Sequence, residues 1–332
     1  MQERILTKLW ASRYTTDLSA FPADVAQNAI MQIVDASSSI GRRETVERLR
    51  RSLQVSCERA GIQTNTLFSY VPNVVNLSDA QRIAISATQL YKQTMEFYEQ
   101  HSLPLSSFVL MPSIGLQAIE KLSVNLEPAL HDLRVQHLTA KDPRTIGFLS
   151  TQFHFSTQFL LGQLTPVEQI LLSPYFKFLE EQVCIPWKRI CDAATEHSLE
   201  SPCLELVRQM LPQSKDIAKA VFRGMVQLSP DHQSRRGGLN EPGVTASTIR
   251  DIQMFQGYLL LCILEGSVAS IEEELVPLCV MVFPAIDVTW ELVNQGTQLL
   301  IEELTARMQP EQIQILHPYA RSMRYFFAEL CG

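Results

Sequence analysis

Apolar residues recur at three- and four-residue intervals along most of this chain, the period of helices that bury one face. The stretch from Pro22 to Ala36 places Val25, Ile30, Ile33 and Val34 on one side, with Pro22 in a first-turn position. From Arg42 to Ala60, Val46, Leu49, Leu53 and Cys57 form a second stripe. A third begins after the cap candidate Ser78 and runs through Ile83, Leu90, Tyr91, Phe97 and Tyr98. No alternating apolar and polar run is bounded by hairpin turns, so the pattern predicts an all-α, multi-helix bundle.

One segment breaks the helical period. Leu228 to Thr248, LSPDHQSRRGGLNEPGVTAST, combines Pro, Asp, Ser, paired Gly and an Asn-Glu-Pro-Gly turn with almost no apolar residue. Structureless segments of this length are uncommon in compact domains and are usually functional. The expectation is a flexible polar loop over 228–248, with Ser247-Thr248 capping the helix that follows.

The chain also repeats itself. TQFLLGQLTPVEQILLSPY begins at Thr157 and TQLLIEELTARMQPEQIQILHPY begins at Thr297. Aligned from those threonines, the second copy carries four extra residues, Ala306 to Gln309, and the copies then resume from Pro166 to Pro174-Tyr175 and from Pro310 to Pro318-Tyr319. Thr165-Pro166-Val167-Glu168 reads as a capping box with Pro at the first helical position. Pro174 and Pro318 each kink a helix or start another. Related helical units commonly pack on one another because neither buries its face alone. The reading is an internal duplication of a helical unit in the C-terminal two thirds. Four regions follow: an N-terminal helical region over 1–138, a first repeat unit over 139–227, the loop over 228–248, and a second, truncated unit over 249–332.

Composition fits a packed protein. Of 332 residues, 46% are hydrophobic and 19% charged, and only 13 are glycine, which disfavours all-β and glycine-loop designs. A net charge of −7 disfavours general affinity for nucleic acid. The seven cysteines form no CxxC and sit mostly in apolar stretches, as reduced buried thiols do. The first residues lack a signal-peptide core, and the apolar run from Leu275 is short and Pro-broken, so a cytoplasmic protein without membrane segments is expected.

Candidate chemistry is sparse. There is no GxGxxG, no Walker-type loop, no GxSxG and no HExxH. Glu127 and His131 stand four apart across Pro128, which favours a helix start, and Cys184 and Cys191 flank Pro186; neither set has a third ligand, so neither a metal nor a cofactor is expected. Glu272, Glu273 and Glu274 read as a solvated face near a helix start. Arg235 and Arg236 in RRGG could hold an anionic group.

Residues 42–71 are more suggestive. Leu53 to Tyr70 matches a helix-turn-helix pattern, with small Cys57 at the crossing and Gly61 at the turn. Gln63, Thr64 and Asn65 would then face outward as possible DNA contacts. The preceding helix sets Arg42, Arg43, Arg48, Arg50, Arg51 and Arg59 against Glu44, Glu47 and Glu58. Elsewhere, aromatics cluster about Tyr175 and Tyr319 in the two copies.

These features favour a non-enzymatic adaptor or regulator that binds a protein partner through helical surfaces and the basic loop. The residues proposed to carry that contact are Arg235, Arg236, Arg43, Arg50, Arg51, Tyr175 and Tyr319. The alternative is a DNA-binding regulator using residues 42–71, as a homodimer because one short motif reads few bases. A third is a helical small-molecule sensor or enzyme with its pocket between the repeat units.

Overall fold

The computed structural model describes residues 12–14, 26–71, 73–101 and 114–330. Pro22 and Val25, which the pattern assigns to a first helix, lie outside those residues. A 3-10 turn at Ser12–Tyr14 is followed by helices α1 (Ala26–Ser37), α2 (Ser39–Leu67), α3 (Leu77–Gln100), α4 (Ile114–Leu138), α5 (Thr145–Leu161) and α6 (Pro166–Cys184). Then come α7 (Trp187–Thr195), α8 (Pro202–Met210), α9 (Ser214–Leu228), strands β1 (Gln233–Ser234) and β2 (Gly237–Gly238), and α10 (Pro242–Glu265). A π-helical turn at Ile271–Leu275 leads into α11 (Val276–Val282), α12 (Trp290–Thr305) and α13 (Pro310–Glu329). The all-α reading holds, and no helix among the described residues is long and apolar enough to cross a membrane.

Contacts divide the chain into two compact units. The first comprises Ala11–Asp142 and Phe148–Val183; the second is built from Pro143–Gly147 and Cys184–Gly332. Contacts thus group α6 with the helices that precede it rather than with α7 to α9, a division that chain order alone does not suggest.

In the first unit α2 is the organising helix. Ser38 caps it by accepting from the Gly41 N–H at 3.0 Å, and it then runs unbroken for 29 residues. Its inner face buries Val46, Leu49, Leu53, Cys57 and Ala60 against Ile83, Ala87, Leu90 and Met95 of α3. Asn76, not Ser78, caps α3, accepting from the Asp79 N–H at 2.9 Å. Tyr91 ties α3 to α5: its hydroxyl lies 2.8 Å from the Phe153 carbonyl and 2.7 Å from Thr157 Oγ1, while its ring meets Phe153 and Phe176.

In the second unit α10 is central. Every residue from Ile252 to Leu264 is buried, so the helix is enclosed on all sides rather than amphipathic. Gly266, at φ 64°, ends it in the left-handed conformation that glycine adopts without steric cost. Around it pack α7, α8, α9, α12 and α13.

The repeated sequences form two helical hairpins, α5–α6 and α12–α13. Pro166 and Pro310 both open the second helix, and Gly162–Thr165 and Ala306–Gln309 are connections of equal length. The expected four-residue insertion is therefore the second connection itself. Matching the copies from Thr157 and Thr297 sets that first connection against the last turn of α12, a slip of one helical turn. In the register of the two prolines, buried positions coincide: Leu160 with Leu304, Leu164 with Met308, Leu172 with Leu316, Leu179 with Met323. Pro174 and Pro318 lie inside continuous helices and start none.

Candidate functional site

The basic segment around α2 carries most of the residues singled out from sequence, and its two faces behave differently. The expected turn at Gly61 is absent, because α2 continues through it to Leu67. Gly61 serves close packing instead. A Cβ there would stand 3.1 Å from Gln152 Oε1, and Gln152 Nε2 reaches in to donate to the Cys57 carbonyl at 2.8 Å. The helix-turn-helix reading fails on this point, since small residues at a helix crossing and at a turn look alike in sequence. Thr64 is buried, its hydroxyl spent on the Ala60 carbonyl at 2.8 Å; Gln63 and Asn65 are exposed, and Asn65 donates to the Gly61 carbonyl at 3.1 Å.

The outer face of α2 is mixed. Arg43 and Arg51 are exposed, and Arg50 pairs with Glu99 at 2.9 Å. Between the charges stand large apolar side chains in water: Ile40 at 58% exposure, Val55 at 64% and Ile62 at 69%. Val55 and Ile62 lie two turns apart, on one stripe with Arg51 and Glu58.

The inner face holds a polar cluster that sequence reasoning did not single out. Arg42 is 1% exposed. Its Nη1 donates to the Tyr98 carbonyl at 2.6 Å in the last turn of α3, where carbonyls lack helical partners and the dipole favours a cation. Its Cζ lies 4.3 Å from the Tyr98 ring centroid, over the ring face. Tyr175 meets Tyr98 edge-on at 5.3 Å. Burial raises the Tyr175 phenol, and the charge and hydrogen bond of Arg42 hold that rise back. With its ring enclosed, Tyr175 is a core residue rather than a docking contact.

Beside this cluster Glu168 is buried at the start of α6. Thr45 Oγ1 donates to it at 2.7 Å, the Thr165 N–H and hydroxyl donate at 2.9 Å each, and Arg48 pairs with it. The capping box read from Thr165 to Glu168 is thus formed, with Thr45 and Arg48 joining from α2. Burial opposes ionisation of Glu168, yet these hydrogen bonds and the Arg48 charge outweigh it and hold the carboxyl below its ordinary value. Stability from this group is therefore complete at neutral pH and is lost as pH falls through the depressed folded value. The Glu168→Gln variant is expected to unfold with a shallower dependence on pH below about 5 than the unaltered protein, as read by urea titrations across pH.

The basic loop is an ordered hairpin. Gln233 pairs with Gly238 and Ser234 with Gly237, which makes Arg235-Arg236 the two-residue turn. Gly237 adopts φ 111°, and a Cβ there would meet Glu241 Cγ at 2.7 Å. The Arg235 N–H donates to the Ile286 carbonyl at 2.9 Å and its Nη1 to the Ala285 carbonyl at 3.1 Å, so that side chain is engaged within its own unit. Arg236 is exposed. The interruption is shorter than expected, because Pro242 starts α10 and Ser247-Thr248 fall inside that helix.

Two further expectations change. Glu274 is buried on the π-helical turn, where Arg189 Nη1 donates to both its oxygens at 2.7 and 2.9 Å. It is not part of a solvated face. Pro128 lies within α4 rather than at a helix start. Tyr319 is half-buried, and burial raises its phenol. Among the described residues, no three His, Cys, Asp or Glu side chains stand where they could hold a metal ion together. No protein-family model, curated protein or solved structure matches the chain.

Proposed function

We propose that the chain is a non-enzymatic docking protein, and that its partner is an amphipathic protein helix seated on the outer face of α2. The observation that carries this reading is the stripe of Ile40, Val55 and Ile62 on the otherwise polar outer face of α2. Each of these side chains gains about 1.5–3 kcal/mol on full burial, and a helix laid along α2 would cover Val55 and Ile62 together. Arg43 and Arg51 stand beside them together with the exposed Glu44, Glu47 and Glu58, which favours a partner helix with charges of both signs along its flanks. The hairpin enters this reading through Arg236, since Arg235 is occupied. We also read the α5–α6 and α12–α13 hairpins as copies of one helical unit, on the strength of their common connection and buried positions.

A photocrosslinking side chain at Val55 tests the proposal in native lysate. A discrete adduct is expected that does not form from the same probe at Lys92 on α3. It should be lost when Ile62→Asp and Arg51→Glu are added, with helix content and thermal midpoint unchanged. An adduct unaffected by those two changes would remove the outer face of α2 from consideration.

A further inference from the structure

We propose that the Arg42, Tyr98 and Tyr175 cluster inside the first unit is a binding site for one small monovalent anion of the chloride class. This is independent of partner docking, since it lies on the opposite face of α2.

Arg42 Nε–H and the Tyr98 hydroxyl are both buried and neither has a hydrogen-bond partner among the described residues. Arg42 comes from α2 and Tyr98 from α3, yet they meet, with the guanidinium over the Tyr98 ring at 4.3 Å from its centroid. Tyr175, from α6, brings a second hydroxyl against the same guanidinium. A buried donor left without an acceptor is destabilising, and here two of them sit in one enclosed cluster beside a buried cation.

Charge leads to the same place. The carboxylate beside the cluster, Glu168, already accepts from Thr45, from Thr165 twice and from Arg48. Glu168 is thereby matched by Arg48, whose side chain is 47% exposed, whereas Arg42 is enclosed and has no carboxylate partner among the described residues, which leaves a surplus of one positive charge inside the site. A buried cation needs a counter-charge. The α3 C-terminus supplies part of it through the Tyr98 carbonyl. One monovalent anion supplies the rest and gives the Arg42 Nε–H and Tyr98 O–H their missing acceptor. A phosphate or sulfate would bring more negative charge than the surplus, and more oxygens than the donors.

The test is a chloride titration of the thermal midpoint at constant ionic strength, with gluconate as the balancing anion because it is too large for an enclosed site. For the unaltered protein the midpoint is expected to rise and saturate, by about 5 °C when chloride greatly exceeds its dissociation constant, with bromide substituting for chloride. Tyr98→Phe keeps the ring beneath Arg42 and removes only the hydroxyl, so the variant should fold and lose most of the chloride-dependent rise. Tyr175→Phe should weaken it. A midpoint equal in chloride and gluconate would overturn the proposal and leave the two donors to water. An equal chloride-dependent rise in Tyr98→Phe would place the anion effect elsewhere and overturn it as well. In crystals grown with bromide, an anomalous peak within hydrogen-bonding distance of Arg42 Nε is expected.

Discussion

Replacing Arg189 with methionine is expected to cost about 3 kcal/mol of stability in the second unit. Arg189 rises from α7, and its Nη1 donates to both oxygens of Glu274 while its Nη2 reaches Glu265 at 3.2 Å. Burial pulls the guanidinium's pKa down, but the Glu274 charge and the other groups around it outweigh that and raise it. Glu274 is the more deeply placed partner, with its side chain 8% exposed against 19% for Arg189. Arg189→Met would strip that carboxylate of its guanidinium while keeping the aliphatic stem. The double variant Arg189→Met/Glu274→Leu removes both charges and should recover most of the loss, since ending an ion pair costs more than replacing it. Urea unfolding of the two variants at pH 7 measures the difference. A single-variant loss below about 1 kcal/mol would mean that solvent screens the pair as it does at a surface.

Trp187→Ala is expected to have the other large effect, about 3–5 kcal/mol. Trp187 opens α7 and is 1% exposed, so truncation would leave a large void that rigid neighbouring helices cannot fill. It packs where α10 comes close. A Cβ added at Gly257 would stand 3.5 Å from Ile185 and Pro186 and 3.7 Å from Trp187, which is ordinary contact. Gly257→Ala should therefore be neutral or stabilising by up to about 1 kcal/mol, because alanine favours a helix interior more than glycine does. The two changes, made on either side of one contact, separate loss of packing from loss of space. A Trp187→Ala cost below about 1 kcal/mol would show that the surroundings collapse into the void.

Much of the fold was legible because helical burial leaves a periodic trace in sequence. Val46, Leu49, Leu53 and Cys57 were placed on one face, and all four are buried there. The capping box at Thr165 was legible for a similar reason, since its partners are three residues apart. The pattern is ambiguous where one residue type serves two geometries. Gly61 suits a tight turn and a close helix contact equally, and the 3.1 Å approach of Gln152, distant in sequence, selects the second. Pro174 and Pro318 could start a helix or sit within one, and each sits within one. The polar run of 228–248 looked unstructured because its partners, the carbonyls of Ala285 and Ile286, are far along the chain.

The candidate sites divide along the same line. The exposed arginines of α2 were found from composition, because exposure needs no partner to explain it. Arg42 belongs to the same basic run, yet it is the most buried charge of the helix, and only its position on the wheel beside Val46 and Leu49 hints at that.

Local spacing along the chain was enough to determine helices, caps and the faces that turn inward, because those depend on residues within about two turns of each other. Tertiary structure alone decided that Arg42 meets Tyr98 and Tyr175, that Glu168 is held from α2, and that Arg189 finds Glu274. Those contacts join residues that sequence order does not bring together, and their energies come from burial and charge, which depend on the packed surroundings rather than on the residues themselves.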